Sequence, residues 1–377
     1  MATKTSKPLS KALQYAWQDA TDKDAQQPGN CRIVVAGVGG AGNNMVTRLT
    51  EMGITSAETV AINTDALHLR VSKARHKLLI GEKLTRGLGV GGNPRLGRAA
   101  VEESRKKVED LLSGADIVFV AAGLGGGTGT GAAPVVAEVA RKNGAITIGV
   151  VTTPFRIEKG RMKNAAHALT ELRRECHTVV VIDNNKLMHL VPQMPINEAF
   201  KVADQVLANM IKGIIETISA PSLINLDFAD FTTIVKRGGI AVVGIGESDA
   251  PNRAEEAVKK ALCSPLLDID YAGATGALIH VTGDSHMTIE EANRVGEIVT
   301  EMMHNDALVI WGARVNPEVN GVLKVTLVMT GVNSPYLLSG YGTIAPKLYN
   351  LEPYTNEPEK PLNIEFKNLY QLENFDA

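Results

Sequence analysis

From residue 31 to residue 182, short apolar runs alternate with segments whose apolar residues recur every three or four positions. The runs at 32–36, 59–62, 77–80, 117–122, 146–151 and 178–182 have the length and β-branched content of buried strands. Helical spacing fills most of the intervals, for example over 94–112 and 133–143. This alternation predicts an α/β fold, a Rossmann-like parallel sheet covered by helices on both faces. Ligands of such sheets sit at the carboxyl ends of the strands, so the segments leaving those ends are where chemistry is sought.

The next pattern is helical and long. INEAFKVADQVLANMIKGIIETISAP, 196–221, has no proline between Pro195 and Pro221 and offers Asn197 as N-cap. Phe200, Ala203, Val206, Leu207, Met210, Ile211, Ile214, Ile215 and Ile218 cover much of its circumference, as expected of a helix between two packed bodies. Beyond it, strands at 240–245, 277–282, 308–311 and 323–329 with helices at 253–262 and 289–304 predict a smaller α+β domain. The chain then divides into an extension (1–30), an α/β domain (31–195), the central helix (196–220), the α+β domain (221–333) and a flexible tail (334–377) rich in Pro, Asn, Glu and Tyr. In the extension Leu9, Leu13, Ala16 and Trp17 are spaced for a short amphipathic helix.

Composition narrows the function classes. With 39 basic and 41 acidic residues the net charge of −2 gives no support to nucleic-acid binding. Cys31, Cys176 and Cys263 form neither a disulfide framework nor a CxxC metal signature, which suits buried thiols in a reducing cytosol. No run approaches the roughly 18–20 apolar residues of a membrane span, and no signal-peptide core opens the chain. A cytoplasmic location is expected.

Glycine supplies the chemistry. GVGGAGNN, 37–44, follows the first strand and satisfies GxGxxG through Gly37, Gly39 and Gly42. Taken alone it suggests a dinucleotide-dependent oxidoreductase, with Asp65 standing where a ribose-binding acid belongs. The fourth strand, however, is followed by GLGGGTGTGAAP, 123–134, whose residues 125–131 hold five glycines and two threonines. One pyrophosphate does not need two such loops; a longer phosphate chain does, because bare backbone N–H groups at helix N-termini stabilise its charge. A third cluster, GLGVGGNP at 87–94, is placed to close over a terminal phosphate through Gly91, Gly92 and Asn93. No GxxxxGK[ST] is present, which excludes a Walker-type site.

These loops resemble the glycine-rich signature of the tubulin/FtsZ superfamily, and the likeness covers nearly all of 32–332. It is closer to FtsZ than to tubulin, and nearer to archaeal than to bacterial members. The resemblance implies a GTPase binding GTP or GDP with Mg²⁺, and no residue is assigned as a metal ligand. It assigns the phosphates to Gly39, Gly40, Ala41, Gly42, Gly125, Gly126, Gly127, Thr128, Gly129 and Thr130, and Asp65 joins the wider nucleotide-binding set. Phe200 and Asp204 stand at i and i+4 on one helix face. A core Phe and a solvated Asp would satisfy that spacing equally well. The resemblance instead implies that Phe200 stacks on guanine, Asp204 accepts from its N1–H and 2-amino groups, and Asn43 assists. It also carries Glu158 and Arg161, in TTPFRIEKGRMKNA (152–165), to the ribose, although the family's usual spacing is E-G-x-x-R. Asn184, in IDNNKL (182–187), joins the nucleotide set, although Asp183 stands where the family usually has Pro.

After the long helix comes NLDFAD, with Asn225, Asp227 and Asp230. Such carboxylates are ordinarily solvated charge; the resemblance makes NxDxxD the hydrolysis motif. One inference needs no family. Asp204 and Asn225 are 21 positions apart, and a helix rising about 1.5 Å per residue separates them by roughly 30 Å. If Asp204 holds the base, as the resemblance implies, acids that far from it act on another copy's nucleotide or do no chemistry. A head-to-tail contact of that kind repeats into a filament. The expected protein is therefore an assembly-stimulated GTPase whose filaments form the division ring at mid-cell, with its own copies as partners and the tail as ligand for a membrane adaptor. A tubulin-superfamily cell-shape protein and an NAD-dependent oxidoreductase are the alternatives.

Overall fold

The computed structural model describes residues 31–186, 193–219, 222–224, 226–262, 271–316 and 319–332. The expected N-terminal helix, the tail, Asn225 and Cys263 lie outside them. In the first half the strands are β1 (Ile33–Val38), β2 (Glu58–Asn63), β3 (His76–Leu79), β4 (Ile117–Gly123), β5 (Ile146–Thr153) and β6 (Thr178–Asp183). Between and after them run α1 (Gly39–Glu51), α2 (Ala66–Val71), α3 (Glu82–Thr85), α4 (Pro94–Glu103), α5 (Arg105–Leu112), α6 (Thr128–Lys142) and α7 (Lys159–Glu175). The long helix α8 (Ile196–Ser219) leads to α9 (Phe228–Lys236), β7 (Ile240–Ser248), α10 (Arg253–Leu262), β8 (Gly276–Gly283), α11 (Ile289–Glu301), β9 (Leu308–Val315) and β10 (Leu323–Thr330).

All ten strands join one sheet in the order β3-β2-β1-β4-β5-β6-β7-β10-β8-β9. The first six are parallel. Their order reverses between β1 and β4, and that switch point opens the crevice in which doubly wound sheets bind ligands. β6 pairs with β7 only at Val179–Ile240 and Val180–Ala241. Beyond that seam β10 runs antiparallel to β7 and β8, while β8 and β9 are parallel. The α/β and α+β parts expected from sequence thus share a continuous sheet, narrow at one point.

Helix α8 spans the seam. Leu207, Ile211 and Ile215 are fully buried and belong to an apolar cluster that includes Phe119 and Ile182 from one side and Val243, Leu278 and Val328 from the other. Lys212 Nζ donates to the Met52 carbonyl (3.3 Å) and Gln205 Nε2 to Met52 Sδ (3.1 Å), fastening α8 to the end of α1.

Three local departures have physical causes. The helix expected over 94–112 breaks at Ser104 (φ −107°, ψ 11°), whose hydroxyl accepts from the Gly81 N–H at 3.2 Å. Ser readily makes such a bond in place of helical continuity. Helix α6 begins at Thr128 rather than 133, because close packing of its glycines overrides their poor helix propensity. Helix α9 was unrecognised as a helix in the sequence; it is one short element started by its own cap.

Because α8 serves both halves of the core, Ile211→Ala should lower unfolding stability by about 2–5 kcal/mol in one cooperative transition. Urea unfolding followed by circular dichroism and tryptophan fluorescence checks this; two separated transitions would show that the halves fold independently.

Candidate nucleotide site

The two glycine loops leave β1 and β4, the strands that flank the switch point. After β1 the chain enters α1 directly at Gly39, whose φ of +75° suits glycine. No side chain caps α1, and its first turn holds no acid. The same is true of α6. The loops touch backbone to backbone: a Cβ on Gly39 would lie 2.7 Å from the Gly129 nitrogen. A Cβ on Gly127 would lie 2.4 Å from Val90 Cγ2 and 2.9 Å from the Asn93 nitrogen, so the third cluster leans on the second. There α4 begins, with the Asn93 side chain accepting from the Arg95 N–H at 3.0 Å. The N-termini of helices 13, 15 and 10 residues long therefore gather at one place. Helices α1 and α6 contribute partial positive charge and uncapped N–H groups, and α4, opened by Pro94 and capped by Asn93, adds its dipole; such a convergence suits an anion. Gly40, Gly91, Gly92 and Gly126 border open space, which leaves an approach for a ligand.

Hydroxyls fix the loops. Thr130 Oγ1 accepts from the Gly125 N–H (2.8 Å), and Thr128 Oγ1 pairs with Thr64 Oγ1 (2.7 Å) at the end of β2. Asp65 caps α2 through a single oxygen, Oδ1, which accepts from Leu67 and His68 N–H groups at 2.9 and 3.0 Å. Asn43 is fully buried. In the orientation its neighbours require, its amide donates to the Gly37 and Gly39 carbonyls (2.8 and 3.2 Å) and accepts from Asn63 Nδ2 (3.0 Å). It braces the first loop, while Asn44 beside it is exposed.

A second wall lies beside the loops. Phe200 of α8 is 41% exposed and meets Phe155 edge-on, with ring centroids 5.6 Å apart. One turn further on, Asp204 is partly buried and accepts no hydrogen bond from the described residues. Burial pushes its carboxyl up to about 7, with Arg48 pulling the other way. Glu158 Oε2 accepts from the Phe155 N–H (3.1 Å) and its Oε1 takes the Arg161 guanidinium, so the unusual three-residue spacing makes an ion pair within the loop. Arg161 Cβ lies 3.0 Å from where a Cβ on Gly125 would be, which joins this wall to the second glycine loop.

Phe155, Asp183 and Asn185 were not assigned from sequence. Asp183 Oδ1 accepts from Asn185 N–H (2.9 Å) and Nδ2 (2.6 Å). Asn185 Oδ1 in turn accepts from the Arg156 N–H at 2.8 Å. The Asp in the family's Pro position thus braces the 154–156 turn, and Asp183 with Asn185 two positions on was the available signal. Asn184 Oδ1 is buried with no donor among the described residues.

The acids of NLDFAD stand elsewhere. Asp227 is the N-cap of α9 and Asp230 its third residue, in a reciprocal capping box: Asp230 N–H donates to Asp227 Oδ1 (2.8 Å) and Asp227 N–H to Asp230 Oδ2 (3.3 Å). Helix α9 packs on β8 and β10, across the β6–β7 seam from β1 and β4. Between Asp204 and Ser219 α8 is unbroken, 15 residues or about 22 Å of rise.

Residues 32–192 match the GTPase domain of the Tubulin/FtsZ family, and residues 239–333 match the C-terminal domain of the FtsZ family. The chain belongs to the Tubulin/FtsZ family. It is 55% identical over 313 residues to cell division protein FtsZ 2 of Methanocaldococcus jannaschii, covering 82% of each. To cell division protein FtsZ 2 of Haloferax volcanii it is 48% identical over 321 residues, 85% of this chain and 80% of that one. An empty FtsZ dimer of M. jannaschii superposes with a TM-score of 0.76 at 50% identity, over 86% of this chain and 93% of that chain. These archaeal relatives agree with the leaning read from sequence, and the FtsZ fold and GTPase domain displace the oxidoreductase reading.

Asp204 generates a prediction. If Asp204 accepts from guanine's two donors, only its ionised carboxylate can take both, and binding must release a proton wherever the free carboxyl holds one. GDP affinity should therefore fall as pH drops below about 7, approaching tenfold per pH unit, and stay level above it. Calorimetric GDP titrations from pH 6 to pH 8.5 check this; a flat profile would remove Asp204 from the base.

Proposed function

We propose that the chain binds GTP at the β1/β4 switch point and polymerises head to tail into filaments of the cell-division ring. Hydrolysis occurs where the acidic loop of one subunit meets the nucleotide of the next. The observation that carries this is the separation along α8 of the open carboxylate of Asp204 from the capped carboxylates of Asp227 and Asp230.

In this reading the phosphates lie on the N-termini of α1, α6 and α4, and the base stacks on Phe200 with Phe155 behind it. Asp204 accepts from guanine N1–H and the 2-amino group, where adenine offers no such pair of donors. Glu158 and Arg161 border the ribose, and Asn184 offers it an acceptor. Among the described residues no three His, Cys, Asp or Glu side chains cluster as a metal cage. The free oxygen of Asp65 and the Thr128 hydroxyl suit a cation that keeps most of its waters and rides on the phosphates, as Mg²⁺ does. Mg²⁺ bound there would offset charge on the transferring phosphoryl group. Asp227 and Asp230 orient and polarise the attacking water, with Asn225 assigned beside them by the family motif.

Both ends carry exposed apolar side chains. Leu67 (73%) and Leu88 (84%) flank Asp65, and Leu223 (75%) and Phe228 flank Asp227. Two unlike apolar patches are what a heterologous, repeating contact joins. The M. jannaschii dimer supports self-association in this family. No helix among the described residues is long and apolar enough to cross a membrane. With relatives named for cell division, we place the protein in the cytoplasm at mid-cell, tethered through its tail to a membrane adaptor.

GTP turnover per molecule should rise with protein concentration; a constant rate per molecule overturns the shared site. Asp227→Asn keeps an N-cap acceptor and should retain GTP binding and sedimentable polymer while turnover falls at least about 100-fold. Loss of GTP binding would place Asp227 in the wrong role. Asn in place of Asp204 pairs a carbonyl acceptor and an amide donor with the N1–H and 2-oxo group of xanthine. Asp204→Asn should therefore shift preference from GTP to XTP by about 100-fold or more, read in competition binding.

A further inference from the structure

The segment between α8 and α9 is fastened to the C-terminal part of the sheet at three points. Ser222 Oγ pairs with His280 Nε2 of β8 at 3.3 Å. Ile224 and Ala313 of β9 exchange both backbone hydrogen bonds at 3.2 Å. Leu226, one residue before Asp227, is buried against Gly312: a Cβ on Gly312 would stand 2.6 Å from Leu226 Cγ and 2.7 Å from the Ile224 carbonyl oxygen. His280 is itself buried, with Thr282 Oγ1 at 3.5 Å from its Nδ1. Burial first, then the cations Arg314 and Lys324, hold the imidazole neutral at physiological pH. A neutral ring keeps one donor and one acceptor nitrogen, so the Ser222 contact does not switch with pH near 7.

We propose that His280 and Gly312 are positioning residues for hydrolysis: they set where Leu226, and through it Asp227 and Asp230, are presented to the neighbouring subunit. Neither touches nucleotide. The proposal rests on the shared-site reading above and names the template behind the acids. A methyl group at 312 must push Leu226 back by about 1 Å to reach normal carbon–carbon separation, and misplacement of that size costs about 100-fold in rate. Gly312 is the sharper probe because its neighbour is Leu226 itself; His280 holds the segment four residues earlier.

The test uses full-length Gly312→Ala and, as a milder change that keeps the buried strand apolar, His280→Leu. Each should bind GTP within about twofold of the parent and form sedimentable polymer. Turnover per assembled subunit should fall about 100-fold and about threefold, respectively. Each variant, and Asp227→Asn beside them, is then copolymerised with Asp204→Asn subunits filled with XTP, and labelled phosphate from GTP is counted. GTP then sits only in the pockets of the positioning or acid variants, and many of those pockets face intact acidic loops. Recovery of GTP turnover in all three mixtures supports the proposal, since the defect lies in what a subunit donates. Recovery for Asp227→Asn alone overturns it and leaves the shared site standing. No recovery for Asp227→Asn removes the shared site and this proposal with it. Weakened GTP binding by His280→Leu, with Gly312→Ala failing to fold, also overturns it.

Discussion

Gly39 and Gly129 meet with no side chain between them, and Gly127 is packed against the Val90 side chain and the Asn93 backbone. That backbone contact brings the ends of β1 and β4 close enough for α1 and α6 to point at one place, with α4 beside them. A methyl group at either contact drives the helices apart. The charge of the site comes from peptide dipoles, whose effect falls off within the first turn, so their convergence has to be close. Thr128, Thr130 and Asn43 then hold a geometry that the absence of side chains has made possible.

Distance organises the rest. Helix α8 is held along its length by core contacts on both sides of the narrow β6–β7 seam, so it acts as a spacer between Phe200 and Asp204 near its start and the acids beyond its end. The acids are already ordered in the single chain, because the two backbone N–H groups that start α9 fix one oxygen of each carboxylate. In the shared-site reading proposed above, a lone subunit lacks a substrate in front of them, and assembly would control hydrolysis by placing groups already formed.

Much of this was legible in the chain itself. The strands of the first half were placed within a few residues, because β-branched runs between glycine loops leave little choice. Phe200 and Asp204 were readable as neighbours from helical spacing, and the long prolineless apolar stretch announced α8. The failures are of one kind. Ser104 breaks a helix, Asp183 and Asn185 brace a turn, and Asn43 turns inward to the loop, each because of a partner distant in sequence or hidden from any periodicity. The start of α6 was missed because glycine propensity argues against a helix that close packing enforces. The continuity of the sheet was invisible for a similar reason: only two residue pairs join β6 to β7, and no local pattern encodes them.

The glycine loops at 37–44, 87–94 and 123–134 hold no lysine or arginine; their polar groups are peptide groups, the hydroxyls of Thr128 and Thr130, and the amides of Asn43, Asn44 and Asn93. Glycine is constrained there in two ways: at a backbone contact an added side chain drives the loops apart, and at Gly91 or Gly92, with φ of +55° and +78°, it strains the turn and intrudes on the open side. Side-chain changes that tune such a site without disturbing its backbone contacts belong instead to the walls, at Phe155, Glu158 and Phe200.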